Sequence, residues 1–121
     1  MEEYETLRPL RWRGDSRQAF KAFPPEVQRE MGYALFMAQT GHRHHTMAKT
    51  LKGFGGGAII ELRDNHDGNT YRAVYTIRFA EAVYVLHAFQ KKSRSGARTP
   101  PADIGLVEKR LRTLQEEWSH G

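Results

Sequence analysis

The chain has 121 residues, 39% of them hydrophobic, and a mean hydropathy of −0.70, which is enough for one hydrophobic core and too little for two. Nineteen Lys and Arg against fourteen Asp and Glu leave a formal charge of +5 and a pI near 9.7, a balance that favours a polyanionic partner such as nucleic acid. The absence of cysteine excludes a disulfide framework, a thiolate metal site and a cysteine nucleophile, and suits a reducing compartment. The start Met1-Glu2-Glu3-Tyr4-Glu5 is acidic where a signal peptide is basic and then apolar, and no run approaches the roughly 20 apolar residues of a membrane span. The expectation is a cytoplasmic chain without membrane contact, one domain over residues 1–121 with its core between about 8 and 118.

In chain order, Leu7 to Trp12 alternates weakly and predicts a first strand, stopped by Gly14-Asp15-Ser16, which reads as the cap of a short helix ending near Phe23. Pro24-Pro25 restarts the chain. Val27, Met31, Ala34, Leu35 and Ala38 then recur at helical spacing up to Gly41, a left-handed stop. Residues 41–57 hold five glycines and three histidines with little apolar periodicity, and read as a mobile connector. Ala58 to Arg63 is a short strand, and Asp64 to Asn69 carries the Asp-Gly signal of a hairpin or longer turn. In Tyr71 to Phe79, period-two geometry puts Tyr71, Ala73, Tyr75, Ile77 and Phe79 on a core face and Arg72, Val74, Thr76 and Arg78 on the other. Ala80-Glu81 reverses the chain into a third meander strand, Ala82 to Phe89. After a loop over Ser93 to Arg98, Ile104, Val107, Leu111, Leu114 and Trp118 form the stripe of a closing helix. The order β-α-α-β-β-β-α describes an α+β domain: a small antiparallel sheet with two N-terminal helices and a C-terminal helix.

No acid occurs between Glu30 and Glu61 or between Glu81 and Asp103. The first gap carries Arg43, Lys49, Lys52, His42, His44 and His45; the second carries Lys91, Lys92, Arg94 and Arg98. The histidines lack remote partners at a spacing that suits a metal, the turn around His66 lacks the twelve-residue calcium pattern, and in Lys52-Gly53-Phe54-Gly55-Gly56-Gly57 the lysine precedes the glycines where a phosphate loop places it after. What remains for that loop is a backbone that lets Lys49 and Lys52 approach a phosphodiester. Arg72 and Arg78 on one strand face, with Lys91 and Lys92 at the neighbour's end, describe cations converging on one concave surface suited to gripping RNA and stabilising a pentavalent phosphorane. His87, with face-mates Val83, Val85 and Phe89, suits a packed, hydrogen-bonded histidine as well as a catalytic one.

The segments Thr50-Leu51-Lys52-Gly53-Phe54-Gly55-Gly56-Gly57, Tyr71-Arg72-Ala73-Val74-Tyr75 and Leu86-His87-Ala88-Phe89-Gln90-Lys91-Lys92-Ser93 resemble the phage-derived, HigB-like branch of the RelE/ParE toxin superfamily, over about Leu10 to Trp118. That resemblance implies the compact RelE-like domain and a type II toxin that cleaves messenger RNA in the ribosomal A site, held inactive by a cognate helix-turn-helix antitoxin in a toxin–antitoxin hetero-oligomer. Its partners would be the ribosome and mRNA, with no cofactor. The ribose 2′-hydroxyl attacks the adjacent phosphate, giving a 2′,3′-cyclic phosphate and a free 5′-hydroxyl. By the resemblance, Arg72 matches the middle-strand arginine at the scissile phosphate, Lys92 the basic residue after the last strand with Lys91 adjacent, Lys52 the basic loop, and Arg63 the end of a strand that is lysine-rich in relatives. Lys49, Arg78 and Arg94 add phosphate-binding charge. Glu61 stands where a lysine is expected and no tyrosine lies near Thr99, so the general base and acid stay open between His87, the loop histidines and Glu61, the last better suited to pairing with Arg72 or Arg63. The alternative is a non-catalytic, ParE-like protein that binds DNA gyrase or another partner.

Overall fold

The structure is a computed structural model that describes residues 7–91 and 98–120. Its elements are β1 (Leu10–Trp12), α1 (Ser16–Lys21), α2 (Pro25–Gln39), β2 (Ala48–Thr50), β3 (Ile59–His66), β4 (Asn69–Thr76), β5 (Val83–Lys91) and α3 (Pro101–His120). The strands form one sheet in the order β1-β5-β4-β3-β2. Every pairing is antiparallel except β1 with β5, which is parallel. The α+β class and the compact RelE-like arrangement expected from the sequence are observed, with one parallel edge and one extra strand.

The extra strand lies in the stretch read as a mobile connector. Ala48–Thr50 pairs with Leu62–Ile60, and the turn that feeds it is fixed by His44, whose Nδ1 accepts from the backbone N–H of Met47 at 3.0 Å. Three residues are too few to show a period, so a histidine acting as a turn cap was the only available cue. The helix stop is as expected. Gly41, at φ 86°, sits one residue past the cap of α2, and the bonds from Gly41 N to Ala38 O (3.1 Å) and from His42 N to Met37 O (2.8 Å) complete a Schellman motif. The Asp-Gly signal is also met, more tightly than expected. β3 and β4 run on to His66 and Asn69, and Asp67 and Gly68 alone turn the chain, both at positive φ as a type I′ hairpin requires.

Both faces of the sheet are covered. Tyr71, Ala73, Tyr75, Val83, Val85 and Ala88 face α1 and α2, against Phe20, Val27, Met31 and Leu35. Val74, Tyr84 and Leu86 face α3, against Val107, Leu111 and Leu114. Each fully buried aliphatic side chain contributes roughly 1.5–3 kcal/mol by leaving water, so neither face reads as simply polar. The third strand does not keep one parity. Val74 pairs with His87 but Tyr75 with Val85, so Leu86 is a bulge. Val83 and Val85 therefore point towards α2 while Tyr84, Leu86, His87 and Phe89 lie on the α3 side. The face-mates expected for His87 are corrected accordingly. β4 likewise stops at Thr76, leaving Ile77 exposed where a core position was expected and putting Phe79 against α3.

At the turn end of β3, Asp64 and His66 lie on the α2 side beside Glu30 and Glu26, with His66 Nδ1 3.4 Å from Glu26. Burial, and then the hydrogen bond and charge of Glu30, push the Asp64 carboxyl up from 3.8 to about 7. A raised carboxyl favours the fold while protonated, so its contribution is full below about pH 4 and is lost as pH rises towards about 7. Asp64→Asn mimics the protonated acid. Thermal melts of the two proteins are expected to coincide near pH 4 and to separate by pH 8, with the variant melting higher; equal melting temperatures at pH 8 would sink this assignment.

Candidate functional site

The site is built on the α3 side of the sheet, where β2 to β5 bring charged residues into adjacent cross-strand rows. Register places Lys49 opposite Glu61, and Arg63 opposite Arg72, with Phe89 next to Arg72 on β5. Glu61 is 1% exposed and sits at the centre. Its Oε1 accepts from Arg63 Nε at 2.7 Å and lies 3.7 Å from an Arg72 terminal nitrogen, while its Oε2 accepts from the Thr99 hydroxyl at 2.6 Å. Thr99 is itself buried and lies two residues before α3. One carboxylate thus joins two arginines of the sheet to the root of the closing helix.

Arg72 is 2% exposed, and its Nε and one terminal nitrogen are buried without a hydrogen-bond partner. Desolvation lowers its pKa, opposed by Glu61, reinforced by Arg63 and opposed by Asp103. Lys91, also buried, donates to the Arg98 carbonyl at 2.9 Å, and burial together with the charges of Arg72 and Arg63 lowers its pKa, with Glu61 opposing. Above this layer opens a cleft of about 820 Å³ whose lining includes Lys49, Lys52, Arg63 and Arg98 against the single acid Glu108. The arrangement is layered: a compensated arginine beneath, exposed cations around the rim. Such a site binds a phosphate and stabilises negative charge that grows on it.

His87 belongs to a different structure. Its Nε2 is 2.7 Å from Asp103 Oδ1, its ring stacks on Phe89, and its Nδ1 lies 3.3 Å from an Arg110 terminal nitrogen. Arg110 also donates to the carbonyl of the bulged Leu86 at 2.9 Å and to Asp15 at 2.8 Å. Because guanidinium has only donors, Nδ1 must accept, which leaves the proton on Nε2 facing Asp103. This is a latch that fastens α3 to β5 and α1, and it engages both ring nitrogens. Asp15 precedes α1 as expected, but its carboxylate is spent on Arg110 and makes no cap bond.

The model of the family described as Phage derived protein Gp49-like (DUF891) matches residues 18–112. The chain belongs to that family. Gp49-like proteins are a phage-derived, toxin-like family of the RelE/HigB type, and the matched segment contains Lys49, Glu61, Arg63, Arg72, Lys91, Thr99 and Asp103. No curated protein matches the sequence.

In this Gp49-like chain the residues singled out from the sequence divide into groups. Arg63, Arg72 and Lys91 come together around Glu61, and Lys49 and Lys52 join Arg63 at the cleft. Arg78 does not join them. It lies two residues beyond the end of β4, exposed, with its backbone N–H on the Thr76 hydroxyl. Lys92 and Arg94 lie outside the described residues. Glu61 takes the pairing role expected of it, and Arg98, read from the sequence as part of the second basic cluster, lines the cleft; Thr99 was missed, because a threonine before Pro-Pro reads locally as a helix start and only the fold brings it to Glu61. Among the described residues no group of three or more His, Asp or Glu is placed to hold a metal ion, and no helix is long and apolar enough to cross a membrane.

Removing the central carboxylate leaves Arg72 buried beside Arg63 with only the weaker influence of Asp103 to offset its charge. Glu61→Ala is expected to lose about 3–5 kcal/mol of stability, the usual penalty of breaking a buried pair, and Glu61→Gln, which keeps two hydrogen bonds, about 1–3 kcal/mol. Urea unfolding measures both. A loss below about 1 kcal/mol in the alanine variant, the size of a surface pair, would show that Arg72 is compensated by something else.

Proposed function

We propose that this Gp49-like protein is the toxin of a type II toxin–antitoxin system and acts as a ribosome-dependent endoribonuclease on messenger RNA. The observation that carries this reading is the cleft lined by Lys49, Lys52, Arg63 and Arg98 above the buried Arg72. Membership of a toxin-like family supports it and supports an antitoxin as partner. The chemistry is attack of the ribose 2′-hydroxyl oxygen on the adjacent phosphorus: the new P–O bond closes a 2′,3′-cyclic phosphate, the P–O5′ bond breaks, and the leaving oxygen takes a proton to become a 5′-hydroxyl.

In this reading Arg63 and the rim lysines grip the phosphate, and Arg72, held in place by Glu61, adds fixed positive charge beneath the phosphorane as it forms. Lys91 handles the proton. An ordinary lysine is a poor base near neutrality, but burial beside two arginines lowers its pKa and makes the neutral amine more accessible. His87 is assigned to the latch, because both its nitrogens are engaged away from the cleft.

Primer extension on a reporter transcript in a translating extract tests the reading. Discrete cuts are expected only during translation, and Arg63→Ala is expected to reduce them about a hundredfold, the scale of losing one transition-state donor. Intact transcripts accompanied by growth arrest in cells would replace cleavage by binding, in the manner of a gyrase inhibitor. A second measurement addresses Lys91. With Lys91 as the base, the cleavage rate rises with pH until the lowered pKa is passed. Lys91→Arg, charged at every accessible pH, is expected to remove that rise and lower the rate by about 10²–10⁴. An unchanged pH profile would take the proton role from Lys91.

A further inference from the structure

A second cationic recess lies on the other side of the molecule, where α1 meets α2. It is an open recess of about 520 Å³. Trp12 and Phe20 line its floor, their rings tilted with centroids 5.2 Å apart, and Arg17 and Lys21 of α1 and Arg29 of α2 stand around it. No Asp or Glu lines it. All three cations are exposed, and among the described residues none of their side chains makes an ion pair or hydrogen bond. The walls are nevertheless fixed. Gln28 Nε2 donates to the carbonyls of Lys21 at 3.0 Å and Phe23 at 2.8 Å, which locks the angle between the helices.

We propose that this recess is a second RNA-binding site, which seats a short single strand with one base against Trp12 and three successive phosphates on Arg17, Lys21 and Arg29. Unpaired cations explain attraction to any anion; the aromatic floor selects among anions. Single-strand sites combine a basic groove with an aromatic ring on which a base stacks, and every base has a face to offer. An acidic peptide satisfies the cations and gives Trp12 nothing equivalent. The recess lies on the α1–α2 side of the sheet and the cleft on the α3 side, so the strand held here is separate from the one in the cleft. The site does not rest on the cleavage reading.

The chain has two tryptophans, Trp12 and Trp118, so Trp118→Phe leaves Trp12 as sole reporter and preserves a ring stacked on Phe79. The probe is a single-stranded oligonucleotide of 2′-O-methyl ribose, which lacks the nucleophile for cleavage and so reads binding whether or not the protein is a nuclease. Quenching of Trp12 emission is expected, with an affinity roughly twentyfold weaker at about 200 mM than at about 50 mM salt, as three phosphates on a single strand imply. Arg17→Ala with Lys21→Ala and Arg29→Ala is expected to abolish the quenching, and so is the single exposed charge reversal Arg17→Glu at the same salt. Lys49→Ala with Lys52→Ala, on the cleft side, is expected to leave it intact. Absence of quenching, quenching lost only in the cleft variant, or equal quenching by a polyglutamate peptide would each overturn the proposal, the last in favour of an acidic protein partner.

Discussion

A carboxylate with almost no exposed surface, Glu61, sets the terms for the whole α3 side of the sheet. Two arginines cannot share the interior without an anion, because desolvation and mutual repulsion act on both. Glu61 meets them with one oxygen and gives the other to Thr99. The same contact therefore offsets the charge of Arg72 under the cleft and fixes where α3 begins. That coupling explains a glutamate at a position where the resemblance to RelE-like toxins leads one to expect lysine. A third cation beside Arg63 and Arg72 would have no anion here, and the positive charge is supplied instead by Lys49, directly opposite on β2 and facing water.

The second organising constraint is the bulge at Leu86. Without it β5 would present Tyr84, Leu86 and Ala88 on one side throughout, and Val83 and Val85 would face α3. The extra residue moves Val85 back to the α2 side and turns Leu86 and His87 together towards α3. Its disrupted pairing leaves the Leu86 carbonyl needing a donor, and Arg110 provides one while also reaching Asp15 and His87. Position along the closing helix is thus fixed by a defect in the sheet rather than by apolar packing alone.

These two features show where a sequence becomes hard to read. Helix α2, its glycine stop and the Asp-Gly hairpin are written in local signals, because spacing of apolar residues, positive φ and turn chemistry act within a few residues. The bulge has no such signal, since alternation in Val83-Tyr84-Val85-Leu86 is apolar at every step, so parity cannot be counted there. β2 was missed because its pairing with β3 comes from tertiary context. For the site, of the four cations expected to converge, Arg72 and Lys91 come together, since register follows once the meander is known, and Lys49 and Lys52 lie on the cleft with Arg63. Arg78 was misplaced because period-two counting ran past the end of β4, and Thr99 was invisible because 38 residues separate it from Glu61.

Covering both faces of so small a sheet has a functional consequence. A half-covered sheet offers one polar face on which all cations must gather; here that face is closed by α3, and charge is displaced to where the cover ends. On the α3 side the cover ends at the root of the helix, and the cations collect around the resulting cleft. On the α1–α2 side it ends at the junction of two helices joined through Phe23 and the two prolines, where Arg17, Lys21 and Arg29 surround Trp12. With a formal charge of +5 and mutual repulsion among like charges, dividing the cations between two rims on opposite sides costs less than crowding them at one. The buried pair of Glu61 and Arg72, with the partly exposed Arg63 at its edge, is the exception that this separation allows, because its anion lies inside the protein and the rim charges remain in water.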